Sequence, residues 1–241
     1  MLIDLHCHIL PGIDDGALDV DDSLGMARQA EADGIEVVCA TPHVRHDHDV
    51  VVHELPARTA DLNAELRKRG IGVLVEQGAE VAETALDRLD EDELRLASLG
   101  GTGRWVLLEP APGPLSDSLT HAVERLRERG ARSVIAHPER HAAEDLEDRL
   151  RALVDLGALV QVTAALFEDE GAGPVLVGLF DRGLAHLLGS DAHSSHAGRP
   201  VVLSAALATL ARAPGASPHL DWVAHEASAA ILRGEELEPP F

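Results

Sequence analysis

Histidine and carboxylate side chains recur in this sequence where short apolar runs end. The first two form a His-x-His pair, His6 and His8, and the last two an Asp-x-His pair, Asp191 and His193. Alternate residues of a strand point to the same side, so both imidazoles of a His-x-His pair can reach one ion. Mixed histidine and carboxylate ligands suit Mn²⁺, Fe²⁺ or Zn²⁺, and carboxylates can bridge two ions. The pattern therefore predicts a centre of divalent metal ions.

Four further motifs place a histidine or carboxylate just after an apolar run: Thr41-Pro42-His43, Gly78-Ala79-Glu80, Leu108-Glu109-Pro110 and Ala136-His137-Pro138-Glu139-Arg140. One such position would mean little, because a lone buried histidine is usually a hydrogen-bonded core residue. Six chain segments that follow one positional rule indicate a shared site. The only cysteines are Cys7 and Cys39, which argues against a structural zinc site and a disulfide framework.

The elements that must position these residues follow from the apolar periodicity. Strands are predicted at residues 2–5, 36–40, 72–75, 105–108, 133–136, 159–162 and 186–188, and helices at 23–32, 55–68, 119–128, 146–156 and 201–211. Asp21 and Asp22 are candidate caps of the first helix. This alternation predicts parallel βαβ units, and about seven units in this length predict a closed or nearly closed barrel. The carboxyl ends of barrel strands meet at one face, where such folds place their active sites.

Composition and charge restrict the class of protein. The 241 residues are 45% hydrophobic and 26% charged, with no low-complexity linker, which predicts a single domain over residues 1–241. A formal charge of −22 argues against nucleic acid as a partner. An anionic substrate therefore needs a local positive charge, which metal ions can supply. No signal peptide is evident and no apolar run approaches the roughly 18 residues of a membrane span, so we expect a cytoplasmic enzyme without membrane insertion.

The motifs DLHCHILPGIDDGA, ATPH, GAE, LLEP, AHPER and GSDAH resemble, in this order, those of the polymerase and histidinol phosphatase (PHP) superfamily. The opening DxHxHxLPGxDDGA is similar, more narrowly, to that of the manganese-dependent protein tyrosine phosphatases encoded with bacterial capsule and exopolysaccharide genes. The resemblance covers essentially the whole chain, from His6 to His193. It implies a distorted (β/α)7-type barrel, a metal site at the carboxyl ends of its strands, Mn²⁺ as the metal, and a phosphotyrosine-containing protein such as a bacterial tyrosine kinase as the substrate.

The resemblance also implies roles for individual residues. Two or three ions would be held in overlapping sets, the first by His6, His8, Glu80 and Asp191, the second by Glu80, Glu109 and His137, and the third by Asp15, His43 and His193. Asp14 is the alternative to Asp15 as a ligand. Arg140 and Arg199 would contact the phosphate as the catalytic arginines.

Two alternatives to a protein tyrosine phosphatase stay open. A small-molecule phosphatase, acting on histidinol phosphate, a nucleotide or another small phosphomonoester, would have a deep lidded pocket, whereas the short chain favours an open mouth. A non-catalytic metal-bound accessory module is disfavoured because the ligand set is complete. The Cys-x5-Arg signature of thiol phosphatases is absent, which excludes a phosphocysteine mechanism.

Three features outside the ligand set have less specific interpretations. Arg45, His46, His48 and His53 are predicted on a surface loop at the rim of the site. Gln161 ends the sixth predicted strand and is either a hydrogen-bond partner of the ligands or a polar cap. Glu139 is predicted to support the ligands or to form a structural ion pair.

Overall fold

The predicted alternation of strands and helices is present in the computed structural model, which describes residues 1–240. Its strands are β1 (Leu2–Cys7), β2 (Ile35–Ala40), β3 (His43–Val44), β4 (Leu74–Glu76), β5 (Glu80–Ala82), β6 (Trp105–Glu109), β7 (Arg132–Ala136), β8 (Leu159–Thr163) and β9 (Leu187–Gly189). Its α-helices are α1 (Val20–Asp33), α2 (Leu55–Lys68), α3 (Glu91–Ala97), α4 (Asp117–Glu128), α5 (Leu146–Asp155), α6 (Ala172–Asp181), α7 (Ser204–Leu210) and α8 (Ala227–Leu232). All predicted strands and helices occur, with ends shifted by at most three residues. The helices α3, α6 and α8 were not predicted.

The ends of α1 show how local sequence sets the elements. The cap is Asp19, whose side chain accepts a hydrogen bond from the backbone N–H of Asp22, so the prediction of Asp21 or Asp22 as the cap is wrong. Gly34 ends the helix in a left-handed conformation with φ of 82°, which glycine adopts without a steric penalty. The chain then turns directly into β2.

The strands form two parallel sheets, one in the order β1-β2-β4 and the other in the order β3-β5-β6-β7-β8-β9. Each of the seven predicted strands, together with any short strand that continues it, is called a pass. Two of the seven passes are divided, so that their first part belongs to one sheet and their second part to the other. The second pass breaks at Thr41-Pro42 and continues as β3, and the third breaks at Gln77-Gly78-Ala79 and continues as β5. Each broken pass therefore pairs in one sheet at its start and in the other at its end, where His43 pairs with Glu80 and Ala82 with Glu109.

The last strand returns to the first at the carboxyl end. The N–H of Asp191 donates to the carbonyl of His6 at 2.8 Å, and the N–H of His8 donates to the carbonyl of Ala192 at 2.9 Å. Consecutive passes are thus connected around the end of the sheets that holds the candidate ligands. This is the distorted β/α barrel that the sequence predicts.

The strands are buried on both faces, as their continuous apolar runs indicate. Leu5, Leu107 and Val134 pack with Trp105 in one cluster, whereas residues of the opposite strand faces, such as Ile135, pack in a second cluster with the helices. Among residues 1–240 no helix is both long and apolar enough to cross a membrane. The prediction of a single domain over residues 1–241 includes Phe241, which lies outside the described residues, and it stays a prediction.

Candidate metal centre

The structure brings all nine predicted ligands together at the carboxyl ends of the strands. Within residues 1–240 they form four overlapping groups, in each of which one ligand atom per residue lies within 4.8 Å of the others. The groups are His6, His8 and Glu80; His6, His137 and Asp191; His43, Glu80 and Glu109; and His8, Asp15, His43 and His193. Glu80, His6, His8 and His43 each belong to two groups, so neighbouring positions share side chains.

Glu80 lies at the middle of the cluster and is fully buried. Its Oε1 is 2.8 Å from Nε2 of His137, and its Oε2 is 3.3 Å from Nε2 of both His6 and His8 and 3.1 Å from Nδ1 of His43. Burial by itself would raise the pKa of this carboxyl group, but the imidazoles of His6 and His137 outweigh it and hold the pKa well below its usual range. Glu80 is therefore a buried carboxylate shared by two of the candidate groups.

Asp191 lies near two of the same imidazoles, those of His6 and His8. Its Oδ1 is 3.5 Å from Nε2 of His6, 3.7 Å from Nε2 of His8 and 3.6 Å from Nδ1 of His193. Its Oδ2 faces the two predicted phosphate-binding arginines: Nη2 of Arg199 lies 3.0 Å away, and Nη2 of Arg140 donates a hydrogen bond to the same oxygen. Both guanidinium groups are about one third exposed, at 34% and 38%, so they also face the mouth of the site.

The two adjacent aspartates divide their tasks. Asp15 is 52% exposed, and its Oδ1 is 3.6 Å from Nε2 of both His43 and His193. Asp14 is instead buried, and its Oδ2 accepts hydrogen bonds from Nδ1 of His8 at 2.8 Å and from the backbone N–H of His43 at 3.0 Å. The geometry favours Asp15 as the ligand and gives Asp14 the task of orienting His8.

Gly16 makes this turn possible. A Cβ atom at this position would lie 2.3 Å from the carbonyl oxygen of His8, far inside van der Waals contact. Its backbone N–H also donates to Oδ1 of Asp14 at 3.0 Å. The Asp-Asp-Gly sequence thus folds the loop tightly against His8 and directs the second aspartate towards the cluster.

In two candidate ligands, a hydrogen bond holds Nδ1, the ring nitrogen that points away from the centre of the cluster. Nδ1 of His6 donates to Oε1 of buried Gln161 at 2.8 Å, as Nδ1 of His8 does to Asp14. In both rings Nε2 is then the nitrogen that faces the centre with its lone pair, which is the arrangement expected of a metal-binding histidine. Of the two predicted roles of Gln161, this contact agrees with a hydrogen-bond partner of a candidate ligand, His6.

The charges of the side chains around the cluster fit a group of cations. Asp191 pairs with the guanidinium groups of Arg140 and Arg199, and Glu109 pairs with that of Arg45. The ion pairs of Glu80 and Asp15 within residues 1–240 are with imidazoles. Burial lowers the pKa of His8, yet Asp14 and Glu80 more than reverse this and raise it to about 9. Burial and the charge of His8 lower the pKa of His193 to about 3, which keeps that ring neutral as a ligand must be.

The donor atoms themselves are spaced for ions. Five buried side-chain atoms of the candidate ligands have no hydrogen-bond partner within the described residues: Oε2 of Glu80, Oε2 of Glu109, Nδ1 of His43, Nδ1 of His137 and Oδ1 of Asp191. Metal–ligand bonds of about 2.1 Å place donors around one ion roughly 3.0–3.4 Å apart, close to the separations of 3.1–3.7 Å observed around Glu80 and Asp191. The residues present therefore fit a group of divalent ions.

Two candidate ligands carry backbone strain. His137 and Asp191, with φ of 33° and 49°, are the only non-glycine residues within residues 1–240 that have positive φ. Side chains with a Cβ rarely adopt this conformation, and it occurs most often at functional sites. His137 directly follows β7 and Asp191 is the second residue after β9, and in both places the turn aims the side chain into the cluster.

Comparison with known proteins agrees with this geometry. A family model described as capsular polysaccharide synthesis, CpsB/CapC, matches residues 2–233. The chain belongs to the CpsB/CapC family. Its similarity to the tyrosine-protein phosphatase YwqE of Bacillus subtilis is 35% identity over 201 residues, which cover 80% of this chain and 78% of that protein. Its similarity to the tyrosine-protein phosphatase CpsB of Streptococcus pneumoniae is 25% identity over 231 residues, 89% of this chain and 92% of that one.

Solved structures give the same relationship. A chain from the crystal structures of YwqE from Bacillus subtilis and CpsB from Streptococcus pneumoniae, described as unique metal-dependent tyrosine phosphatases, superposes with a TM-score of 0.82 at 32% identity, covering 99% of this chain and 97% of that one. The phosphotriesterase homology protein of Escherichia coli superposes with a TM-score of 0.63 at 16% identity over 96% and 98% of the two chains. The second likeness shows a shared fold, and the first agrees with membership of the CpsB/CapC family.

Sequence reasoning assigned no specific partner to Arg45. This residue follows β3, and its Nη1 donates to Oε1 of Glu109 at 3.0 Å while its Nε donates to Asp47 at 2.7 Å. The predicted rim loop therefore contacts a candidate ligand directly. Oε1 of Glu139 accepts from the backbone N–H of Thr163 at 2.8 Å, a contact with the last residue of β8 rather than with a candidate ligand.

A set of polar side chains on α1 holds the loop that carries His193 and Arg199. The carboxylate of Asp22 accepts from the N–H and the hydroxyl of Ser195, both at 2.7 Å, and from the hydroxyl of Ser194 and the N–H of Leu18, both at 3.2 Å. Farther along the helix, Gln29 bonds to Ser195 and Val201, and Asp33 bonds to Leu203 and Ser204. No motif in the sequence signals this contact between segments so far apart in the chain.

Proposed function

We propose that this chain is a metal-dependent protein tyrosine phosphatase that removes phosphate from a phosphotyrosine-containing protein of capsule or exopolysaccharide synthesis. The observation that carries the proposal is the set of four overlapping ligand groups directly beside the guanidinium groups of Arg140 and Arg199. The names of its relatives in the CpsB/CapC family support the same activity.

The nine side chains of the cluster would hold two or three ions, and we propose Mn²⁺ as the metal, with Fe²⁺ or Zn²⁺ as alternatives. Such ions, when bound, lower the pKa of water and offset the charge of a phosphate. Asp14 and Gln161 keep His8 and His6 in the orientation and tautomer that ligation needs. Glu80 lies between the groups, and its negative charge reduces the repulsion between neighbouring cations.

Arg140 and Arg199 are placed for the phosphate. A guanidinium group cannot ligate a cation, but its planar N–H groups match two phosphate oxygens at once. Both groups extend from buried Asp191 towards solvent, so they can bind the equatorial oxygens of an ester that enters from the mouth. Phenolate, with a conjugate-acid pKa of about 10, then leaves with only modest help from a proton donor.

Exposure of the site supports a protein substrate over a small metabolite. Asp15 is half exposed, and His193 and the two arginines are each between one quarter and two fifths exposed. A tyrosine on a flexible segment of a bacterial tyrosine kinase can reach ligands placed this close to the surface. We therefore propose such a kinase as the partner.

The test is turnover of phosphotyrosine peptides against a panel of small phosphomonoesters that includes histidinol phosphate, with Mn²⁺, Fe²⁺ or Zn²⁺ added in turn. We expect faster turnover of the peptides and complete loss of activity after chelation, restored by metal. Activity that survives chelation with confirmed loss of metal would contradict the mechanism. Faster turnover of a metabolite would favour a small-molecule phosphatase.

A further inference from the structure

A cavity of about 330 Å³ opens next to the candidate metal centre. It lies between the loop after β3, the end of β5 and the loop after β6, and Glu109 belongs to both its wall and the centre. Oε2 of Glu109 is 3.5 Å from Nδ1 of His43, so the side chain that lines the cavity also contacts another proposed ligand. Four other cavities, of about 260 to 430 Å³, contain none of the nine candidate ligands.

The wall of this cavity combines carbon with one cation. Ala82, Pro110, Ala111 and Pro112 supply a rigid apolar surface. The acidic groups of the wall are Asp47 and Glu109, and the guanidinium of Arg45 bonds to both, at 2.7 and 3.0 Å. The single guanidinium compensates half of their negative charge locally, in a chain that carries a formal charge of −22. An apolar surface beside the face of a guanidinium group is a favourable environment for an aromatic ring, because the ring is buried there and makes a cation–π contact.

Size and position restrict the occupant further. Ligand cavities usually measure about 300–1,000 Å³, so this one is at the small end and suits one side chain. Arg140 and Arg199 contact Asp191 in the centre, whereas the cavity adjoins the centre at Glu109. A phosphate ester that binds both features would have its phosphate at the ions and its organic group in the cavity.

We propose that this cavity binds the aromatic ring of the phosphate ester that the metal centre hydrolyses, with the ring between Arg45 and the wall formed by Pro110 to Pro112. The inference rests on the proposed function and makes it more specific: the cavity selects aryl over alkyl phosphates. The ring then stays bound as phenolate forms, so that the leaving group is positioned from the start.

The experiment fills the cavity without changing the centre. Ala111→Phe places a ring in the proposed site, and Ala208→Phe, on an exposed position of α7, is the matched control. We expect Ala111→Phe to raise KM for phenyl phosphate about tenfold, equivalent to ~1.4 kcal/mol, while the inhibition constant of inorganic phosphate and the metal content stay within twofold of wild type. The control should change none of these values. Thr84→Trp, at another exposed position of the wall, repeats the test if Ala111→Phe does not fold.

Three results would overturn the proposal. An unchanged KM for phenyl phosphate in a folded variant would show that the ring binds elsewhere. A raised KM for the phosphotyrosine peptide with an unchanged KM for phenyl phosphate would show that the cavity binds a residue next to the phosphotyrosine and not the ring. A parallel rise in the inhibition constant of phosphate in both Ala111→Phe and Thr84→Trp would show that this wall contributes to phosphate binding and is not a separate site for the ring. In each case the proposed phosphatase activity stands, and only failure of the wild type to hydrolyse any phosphate ester would remove that.

Discussion

Substitution of Asp22 tests whether α1 positions the loop that carries His193 and Arg199. Asp22→Asn keeps the shape of the side chain but removes its charge. An amide cannot accept on both sides, so either the N–H of Leu18 or the donors of Ser194 and Ser195 would face an NH₂ group. Hydrogen bonds to a charged group are worth about 1.5–3 kcal/mol and neutral ones about 0.5–1.5 kcal/mol. We therefore expect a loss of roughly 2–4 kcal/mol in the free energy of unfolding.

A chain of this size loses about 2–4 °C in Tm per kcal/mol, which predicts a Tm lowered by roughly 4–16 °C. Well below that temperature, the loop should still be misplaced, and kcat/KM for an aryl phosphate should fall about tenfold or more. Asp21→Asn is the matched control, because Asp21 is the residue next to Asp22, its carboxylate is exposed, and the substitution removes the same charge. Differential scanning calorimetry and steady-state kinetics give both values.

The effect of Asp22 on stability should also depend on pH. Burial would raise its pKa, but the hydrogen bonds from Ser195 outweigh burial and hold the pKa below its usual value. A group with a depressed pKa stabilises the fold above its unfolded pKa of about 4 and loses that contribution as pH falls through the folded pKa. The difference between wild type and Asp22→Asn should therefore shrink below pH 4. Equal Tm and kcat/KM for Asp22→Asn and Asp21→Asn at neutral pH would refute the reasoning.

Three further outcomes concern the centre itself. Glu80→Ala should lose metal from more than one position by elemental analysis while its circular dichroism is unchanged; full metal content with full activity would remove Glu80 from the site. Arg140→Ala and Arg199→Ala should keep their metal and raise KM for aryl phosphates about tenfold or more, and loss of stoichiometric metal would assign that arginine to holding Asp191 instead. Gln161→Leu should weaken Mn²⁺ binding about 10–100-fold in a titration, and unchanged affinity would show that His6 is oriented without it.

The sequence was sufficient to predict the passes of the barrel, because each strand is an apolar run and each long helix has a helical apolar period. These segments end at a glycine or a polar residue. It did not predict the breaks that create β3 and β5. These strands have two and three residues, too short for a period to be visible, and their pairing depends on the sheet around them. The short helices α3 and α8 were missed for the same reason.

The candidate ligands were predictable because they share one positional rule at the strand ends. Their supports were not, since each support is a contact between distant segments. Gln161 and His6 are 155 residues apart, and Asp22 and Ser195 are 173 apart. Only the three-dimensional arrangement shows that Asp14 lies behind His8 and that Arg45 reaches Glu109.

The left-handed backbone at His137 and Asp191 has an evolutionary consequence. Holding a side chain with a Cβ in that conformation costs roughly 1–2 kcal/mol per residue, a cost that glycine would not incur. At these two positions, a mutation that makes the fold more robust would also delete a candidate ligand. Random variants that are screened only for heat resistance should thus accumulate glycine there and lose the metal centre, whereas screening for activity should keep the strained residues. Stability and chemistry select for different residues at these two strand ends.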